Sequence, residues 1–202
     1  RFAKDKKFGY FPSASVAWRL SDEAFMKSTK KFINDAKVRL SYGVTGNESI
    51  GNYDAILSYD IGGIYDEVAG ITAARIAVDN LGWEQTTQSN AGLDLSFLKN
   101  RFNLTIDYYK KLTDNLLANY EVPKEWGFNT VRRNIGSISN QGFEIDLRGD
   151  IIRNKTFTWN MAVNFSKNNN RITAVAGGVP YAFQDTWWIS QGGRIGDFFG
   201  YR

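Results

Sequence analysis

Residues 90–112, NAGLDLSFLKNRFNLTIDYYKKL, alternate apolar and polar side chains on two arms separated by Lys99-Asn100. Ala91, Leu93, Leu95 and Phe97 fall on one face of the first arm, with Asn90, Asp94 and Ser96 opposite. On the second arm Phe102, Leu104, Ile106 and Tyr108 oppose Asn103, Thr105 and Asp107. A period of two belongs to a β-strand, whose successive side chains point to opposite faces. A short turn centred on 99–100, two residues long, predicts the pairs Phe97–Phe102, Leu95–Leu104, Leu93–Ile106 and Ala91–Tyr108. A one-residue slip would set polar against apolar side chains along the whole ladder. The chain therefore holds a hairpin with one wholly apolar face, and its fold depends on what covers that face.

Composition narrows the choice of cover. The 202 residues include no Cys and no His, which removes disulfides, thiolate metal sites, the commonest general base and the commonest transition-metal ligand. Mean hydropathy is −0.38, and no run of about 18 apolar residues exists to cross a membrane as a helix. A transmembrane barrel passes that filter unseen, because lipid-facing and lumen-facing residues alternate and their hydropathy averages out. Aromatics make up 15% of the chain, enough for a membrane-interface girdle or for a dry core. The net charge of +4 comes without a dense Lys/Arg patch, so no nucleic-acid partner is expected. The chain opens on Arg1 without a signal peptide and closes on Gly200-Tyr201-Arg202 inside a strand-like run, which reads as a piece of a larger exported chain.

Further strands follow from the same alternation. Residues 8–20 carry Ala14, Val16, Trp18 and Leu20 on one face. Ser21-Asp22-Glu23 reads as a helix start capped by Ser21, with Phe25 and Met26 as anchors. Residues 35–44 place Ala36, Val38, Leu40 and Tyr42 outward and Lys37, Arg39 and Ser41 inward. A short strand-like piece is expected at 53–59 and a long loop over 60–82. Residues 138–149 put Phe143, Ile145 and Leu147 out and Glu144, Asp146 and Arg148 in. After a link at 150–155, residues 156–166 alternate Phe157, Trp159, Met161, Val163 and Phe165 with polar or small neighbours, predicting Leu147–Phe157, Ile145–Trp159 and Phe143–Met161 as pairs. The tail beyond Tyr181 holds Trp187-Trp188 and a last apolar run at Phe198-Phe199.

Followed alternately down and up, the short links at 99–100 and 150–155 fall at one end, with the middling link at 21–34. The long links at 45–82, 113–137 and 167–182 fall at the other. Short turns at one end and long loops at the other characterise outer-membrane barrels, whereas a β-sandwich mixes loop lengths and needs a second sheet. Each feature also has a plainer reading. Trp18, Tyr108, Tyr109 and Trp159 serve as interface girdles or as ordinary core. The inward Lys37, Arg39, Asp94, Asp107, Glu144, Asp146 and Arg148 line a wet lumen or a solvated sheet face. Glu144 and Asp146 superficially resemble a glycosidase pair, yet neighbouring charges on one face are routine in barrels. Gly62-Gly63 and Gly177-Gly178 lack phosphate-loop spacing.

The motifs have a familiar order. The run Gly9-Tyr10-Phe11-Pro12-Ser13-Ala14-Ser15-Val16-Ala17-Trp18-Arg19 resembles the GYFPSxSxxWR segment of SusC/RagA-type TonB-linked outer-membrane transporters. Similar matches are Lys37 to Asn47 (KVRLSYGVTGN), Ile50-Gly51-Asn52-Tyr53, Asn80-Leu81-Gly82-Trp83-Glu84, Asn90-Ala91-Gly92-Leu93-Asp94 and Asp107-Tyr108-Tyr109. Asn134-Ile135-Gly136, Asn140-Gln141-Gly142-Phe143-Glu144 and Gly196-Asp197-Phe198-Phe199-Gly200-Tyr201 complete the series, in the family's order over nearly the whole chain.

The resemblance implies an all-β fold: residues 1–202 form part of an antiparallel transmembrane β-barrel of about 22 strands, with long extracellular loops and short periplasmic turns. It also implies a Gram-negative, Bacteroidetes-like outer membrane and import of oligosaccharides or peptides. The implied partners are a SusD-like surface lipoprotein, outer-membrane lipid, and TonB, which would act through upstream regions along with the plug. No catalytic, cofactor-binding or metal-ligating residue is expected, and the family has no fixed substrate motif to carry over. The long loops at 45–82, 113–137 and 167–182 are expected to face the lipoprotein or the ligand. The competing expectation is a soluble or surface-attached all-β carbohydrate-binding domain, whose apolar faces would pack together in water. A barrel-domain enzyme would need a convergent catalytic set, which is not found.

Overall fold

The computed structural model describes residues 2–65, 67–183, 186–198 and 200. The strands are β1 (Ser13–Arg19), β2 (Ile33–Asn47), β3 (Ser58–Tyr65), β4 (Val68–Arg75), β5 (Glu84–Phe97) and β6 (Phe102–Asp114). They continue as β7 (Leu117–Glu121), β8 (Thr130–Asn134), β9 (Ser137–Arg153), β10 (Thr158–Ala174), β11 (Tyr181–Phe183) and β12 (Trp187–Ile189). One six-stranded sheet runs β1-β2-β5-β6-β9-β10, while β3-β4, β7-β8 and β11-β12 are separate hairpins. Every pairing is antiparallel.

The hairpin that dominates the sequence forms in the expected register, with Phe97↔Phe102, Leu95↔Leu104, Leu93↔Ile106 and Ala91↔Tyr108 all paired. The turn itself is longer than two residues. Leu98, Lys99 and Asn100 all take left-handed backbone (φ 54, 62 and 58°), and Arg101 N donates to the Leu98 carbonyl at 3.3 Å. The second expected register is corrected. Leu147 pairs with Val163, Ile145 with Phe165, and Phe143 with Lys167. The cause lies at the turn: β9 continues through Ile151-Ile152 to Arg153, so the reversal is confined to a tight turn around Asn154 rather than spread over 150–155. The Asn154 side-chain oxygen accepts from Thr156 N (3.0 Å), Phe157 N (2.7 Å) and Thr156 Oγ1 (3.2 Å). The shift is even, so Val163 and Phe165 still share the face of Leu147 and Ile145.

That face is apolar and uncovered. Val16, Trp18, Leu40, Tyr108, Val163 and Phe165 stand exposed along it. The continuous apolar stripe crosses the sheet diagonally. On β2 it reaches Val44, the partner of Thr87; on β5, β6 and β9 it stops at the paired Ala91, Tyr108 and Phe143. On β10 it stops lower still, at Phe165. The other margin falls the same way, from Phe97 and Phe102 to Ile152 and Trp159. A level hydrocarbon slab crossing tilted strands traces such a diagonal.

Other expectations change in detail. β1 starts at Ser13 rather than at residue 8, and β2, β5, β9 and β10 run past their expected ends. Residues 53–59 are mostly turn, with β3 beginning only at Ser58. Residues 20–31 are 3-10 turns without a side-chain cap. Ser21 is buried and donates instead to Asp35 at 2.9 Å, while Phe25 stands largely exposed, edge-on to Trp18 with ring centroids 6.4 Å apart. At the tail, Trp187 stacks on Phe198 at 5.1 Å; Phe199 and Tyr201 lie outside the described residues.

Among the described residues the buried core is not under the sheet. Phe2, Ile50, Ala55, Val78, Leu81 and Val131 cluster among the long loops, with Ile76, Trp83, Leu117 and Val122 packed on them. Residues 45–82 and 113–137, read from sequence as loop apart from a strand-like piece at 53–59, thus carry hairpins and a small core of their own.

Candidate functional site

The inner face is built by residues that alternate with the apolar stripe. Arg39, Gly92 and Asp107 share one rung across β2, β5 and β6. With no side chain at Gly92, the Arg39 guanidinium crosses β5: Nη2 donates to Asp107 at 2.9 Å and Nε to Asp94 at 2.8 Å. Lys37 adds a second cation to this group, 3.1 Å from Asp94. One strand pair further on, Tyr109 lies over Gly142 and donates to Asn168 of β10 at 3.1 Å. Tyr109 therefore belongs to the inner face, not to the girdle positions held by Trp18, Tyr108 and Trp159; adjacent strand residues cannot share a face. Asp146 is bonded to Arg148 at 2.8 Å, so Glu144 and Asp146 are not a free carboxylate pair. The seven charges expected inward all lie on this face, beside a polar groove of about 530 Å³ lined by Arg39, Asn90, Asp107, Tyr109, Glu144 and Asn168.

A collar joins the sheet to its long loops. Glu84 accepts from Asn47 Nδ2 and from Leu117 N, each at 3.0 Å. Asn134 accepts from Gly82 N at 2.7 Å and donates to the carbonyls of Gly82 and Asn115, both at 2.9 Å. Trp83 packs against Phe2 and Phe11, at 4.7 and 5.2 Å. Phe11, Asn47, the Trp83-Glu84 pair and Asn134 come from four separate sequence motifs, and the fold brings them together here.

Above the collar lies a polar pocket of about 760 Å³ whose lining includes Asn47, Asp54, Arg75, Asn119 and Arg132. Arg75 donates to Asp54 at 2.9 Å; Arg132 donates to Asn119 at 3.2 Å and to the Ser49 carbonyl at 3.0 Å. A second cavity of about 630 Å³ is lined by Leu117, Ile135, Val179, Pro180 and Tyr181 among others. Desolvation, followed by the Glu121 carboxylate, raises the Tyr181 hydroxyl above its ordinary pKa, so it stays a neutral donor. The β3–β4 hairpin presents Ile61 opposite Ile71, 83% and 72% exposed. Sequence reasoning named Asn47 and Ile135 within motifs but missed the grouping of these residues. They come from loops without periodicity, and only the fold brings them together.

Comparison with known proteins accounts for this architecture. Residues 1–198 match the family model for the TonB-dependent receptor-like β-barrel. The chain is 41% identical over its full length to TonB-dependent receptor P39 of Formosa agariphila. It is 37% identical over 88% of its length to TonB-dependent receptor SusC of Bacteroides thetaiotaomicron. Among solved structures it superposes on the RagAB peptide transporter with a TM-score of 0.86, 27% identity and 95% of the chain covered, matching 21% of that chain. The chain spans about a fifth of the length of these curated relatives, 19% and 18%. Six neighbouring antiparallel strands, an uncovered apolar face and a polar inner face are what one sector of such a wall must have. The chain belongs to the TonB-dependent receptor family, in its SusC/RagA-type branch, as a sector of the β-barrel.

Proposed function

We propose that this chain is lipid-embedded wall and long-loop surface of a SusC-like importer in the outer membrane of a Bacteroidetes-like bacterium, and that residues 1–202 are a partial barrel domain, with the plug and the TonB-contacting region elsewhere in the protein. The cargo is a hydrophilic oligomer, an oligosaccharide or a peptide, moved by binding and release without covalent chemistry. The relatives named SusC and RagAB support this reading, as does the polar pocket around Arg75 and Arg132 at the long-loop end. TonB supplies the energy through the plug side.

The observation that carries the partner assignment is the β3–β4 hairpin. Ile61 and Ile71 pair midway along it, largely exposed, and an exposed apolar patch on a long-loop hairpin supports a protein contact. A SusD-like surface lipoprotein closing over the long loops is its occupant. The test is affinity purification of the full-length protein in mild detergent, with Ile61→Asp/Ile71→Asp as the variant. A lipoprotein that copurifies with the native protein and is lost from an intact variant barrel supports the assignment; no lipoprotein in either defeats it. Uptake of labelled glycan and peptide pools by cells carrying the transporter then separates the two cargo classes.

A further inference from the structure

The apolar wall ends on its long-loop side at two neighbouring rungs that carry cations. Tyr108 pairs with Phe143, and Phe143 with Lys167; one rung further, Lys110 pairs with Gln141, and Gln141 with Asn169. Pairing parity puts these residues on the face of Ile106, Ile145 and Phe165, so both ammonium groups stand on the lipid side. Contacts on both faces confirm that parity: Tyr109 reaches Asn168 on the inner side, and the rings of Phe143 and Phe165 lie 5.6 Å apart, centre to centre, on the outer side. The two lysines sit diagonally across β9, with Cα atoms about 12 Å apart from the strand spacings alone. Both are exposed.

Their electrostatics differ from those of the inner face. There Lys37, Arg39 and Arg148 each meet a carboxylate within 3.1 Å. Among the described residues no ion pair involves Lys110 or Lys167. Their outward neighbours are neutral: Ser89, Gln141, Asn169, Tyr108 and Phe143. The nearest outward carboxylate on β6, Asp114, lies four residues on, about 13 Å along the strand. Among the described residues two cations without an ion-pair partner thus flank two amide side chains where the apolar wall ends, with aromatic rings immediately below.

We infer that this patch binds the phosphorylated headgroup of an outer-leaflet membrane lipid. Lys110 and Lys167 hold the phosphate oxygens by charge-assisted hydrogen bonds, Gln141 and Asn169 donate from between them, and the acyl chains lie down over Phe143, Phe165 and Ile145. Basic groups at headgroup level recognise anionic lipid in this way. The inference rests on the membrane-embedded reading of the wall given above.

The test uses the full-length protein purified in detergent and reconstituted into nanodiscs. Barrel assembly is scored first, by the heat-dependent shift of the folded band. A native protein that never assembles in lipid defeats the membrane reading itself. With the barrel assembled, retained lipid is measured by mass spectrometry for the native protein, for Lys110→Gln/Lys167→Gln, for Lys110→Arg/Lys167→Arg, and for Lys99→Gln/Lys155→Gln at the short-turn end. The prediction is at least a tenfold loss of phosphorylated lipid in the first pair only, with Arg retaining it. Equal retention in all four overturns the inference. In the native protein, dephosphorylated lipid should compete at least tenfold more weakly than the phosphorylated form. Equal competition overturns the inference, as does displacement by inorganic phosphate alone, which would mark a free-anion site.

Discussion

A methyl group added at Gly92 would sit against the Asp107 carboxylate and 2.7 Å from Arg39 Cζ, whereas one at Gly142 would meet the backbone carbonyl of Lys167 and lie 2.8 Å from the Tyr109 oxygen. The obstacles differ in kind. A guanidinium tip swings aside, but a ladder carbonyl moves only with its strand. Gly92→Ala should therefore cost about 1 kcal/mol or less, the worth of a partly exposed ion pair, while Gly142→Ala should cost roughly 1–3 kcal/mol through overpacking. Urea titration of the full-length barrel in lipid measures both, and a larger loss at Gly92 would contradict the geometry. The two faces predict a second contrast. Leu95→Arg or Val163→Arg places a charge in hydrocarbon at about 2–4 kcal/mol, while Ser96→Arg, on the inner face beside Asn103, should leave folding nearly unchanged and alter uptake. Residue alternation made these faces legible from sequence. The outward Tyr108 and inward Tyr109 were separable by the same parity once the strand was continuous through both.

At the scale of elements, the two long hairpins show what sets a register. The β5–β6 arms are separated by so few residues that only one pairing matches apolar to apolar, and the sequence pattern suffices. The β9–β10 arms offer two turns that both match apolar residues, and the choice falls to Asn154, whose oxygen takes three hydrogen bonds. Asn154→Ala should cost about 1–2 kcal/mol, read as faster unfolding in urea. Lys99, held at φ 62°, should accept glycine with a gain of roughly 1 kcal/mol. A loss there would mean that the turn is not left-handed. The loop hairpins were illegible for a different reason. β3 and β4 (SYDIGGIY and VAGITAAR) alternate over only a few residues before glycines and adjacent apolar residues break the pattern. The collar residues Glu84 and Asn134 bind across distances that no local pattern records.

For the molecule as a whole, the sheet leaves β1 and β10 as open edges, carries its buried cluster among the loops, and exposes a diagonal apolar stripe. In water those features would be liabilities. In a barrel within a bilayer they become the closure seams, the long-loop surface and the lipid contact. The chain has no cysteine, so single cysteines can be placed along its strands in an otherwise cysteine-free full-length protein. Spin labels at positions 95, 106 and 163 on one face, and at 96, 107 and 164 on the other, would report collision with oxygen in lipid and with a water-soluble nickel complex. Strict alternation is predicted, with the first set reached by oxygen and the second by nickel. Nickel access at both sets alike would contradict a lipid-facing wall.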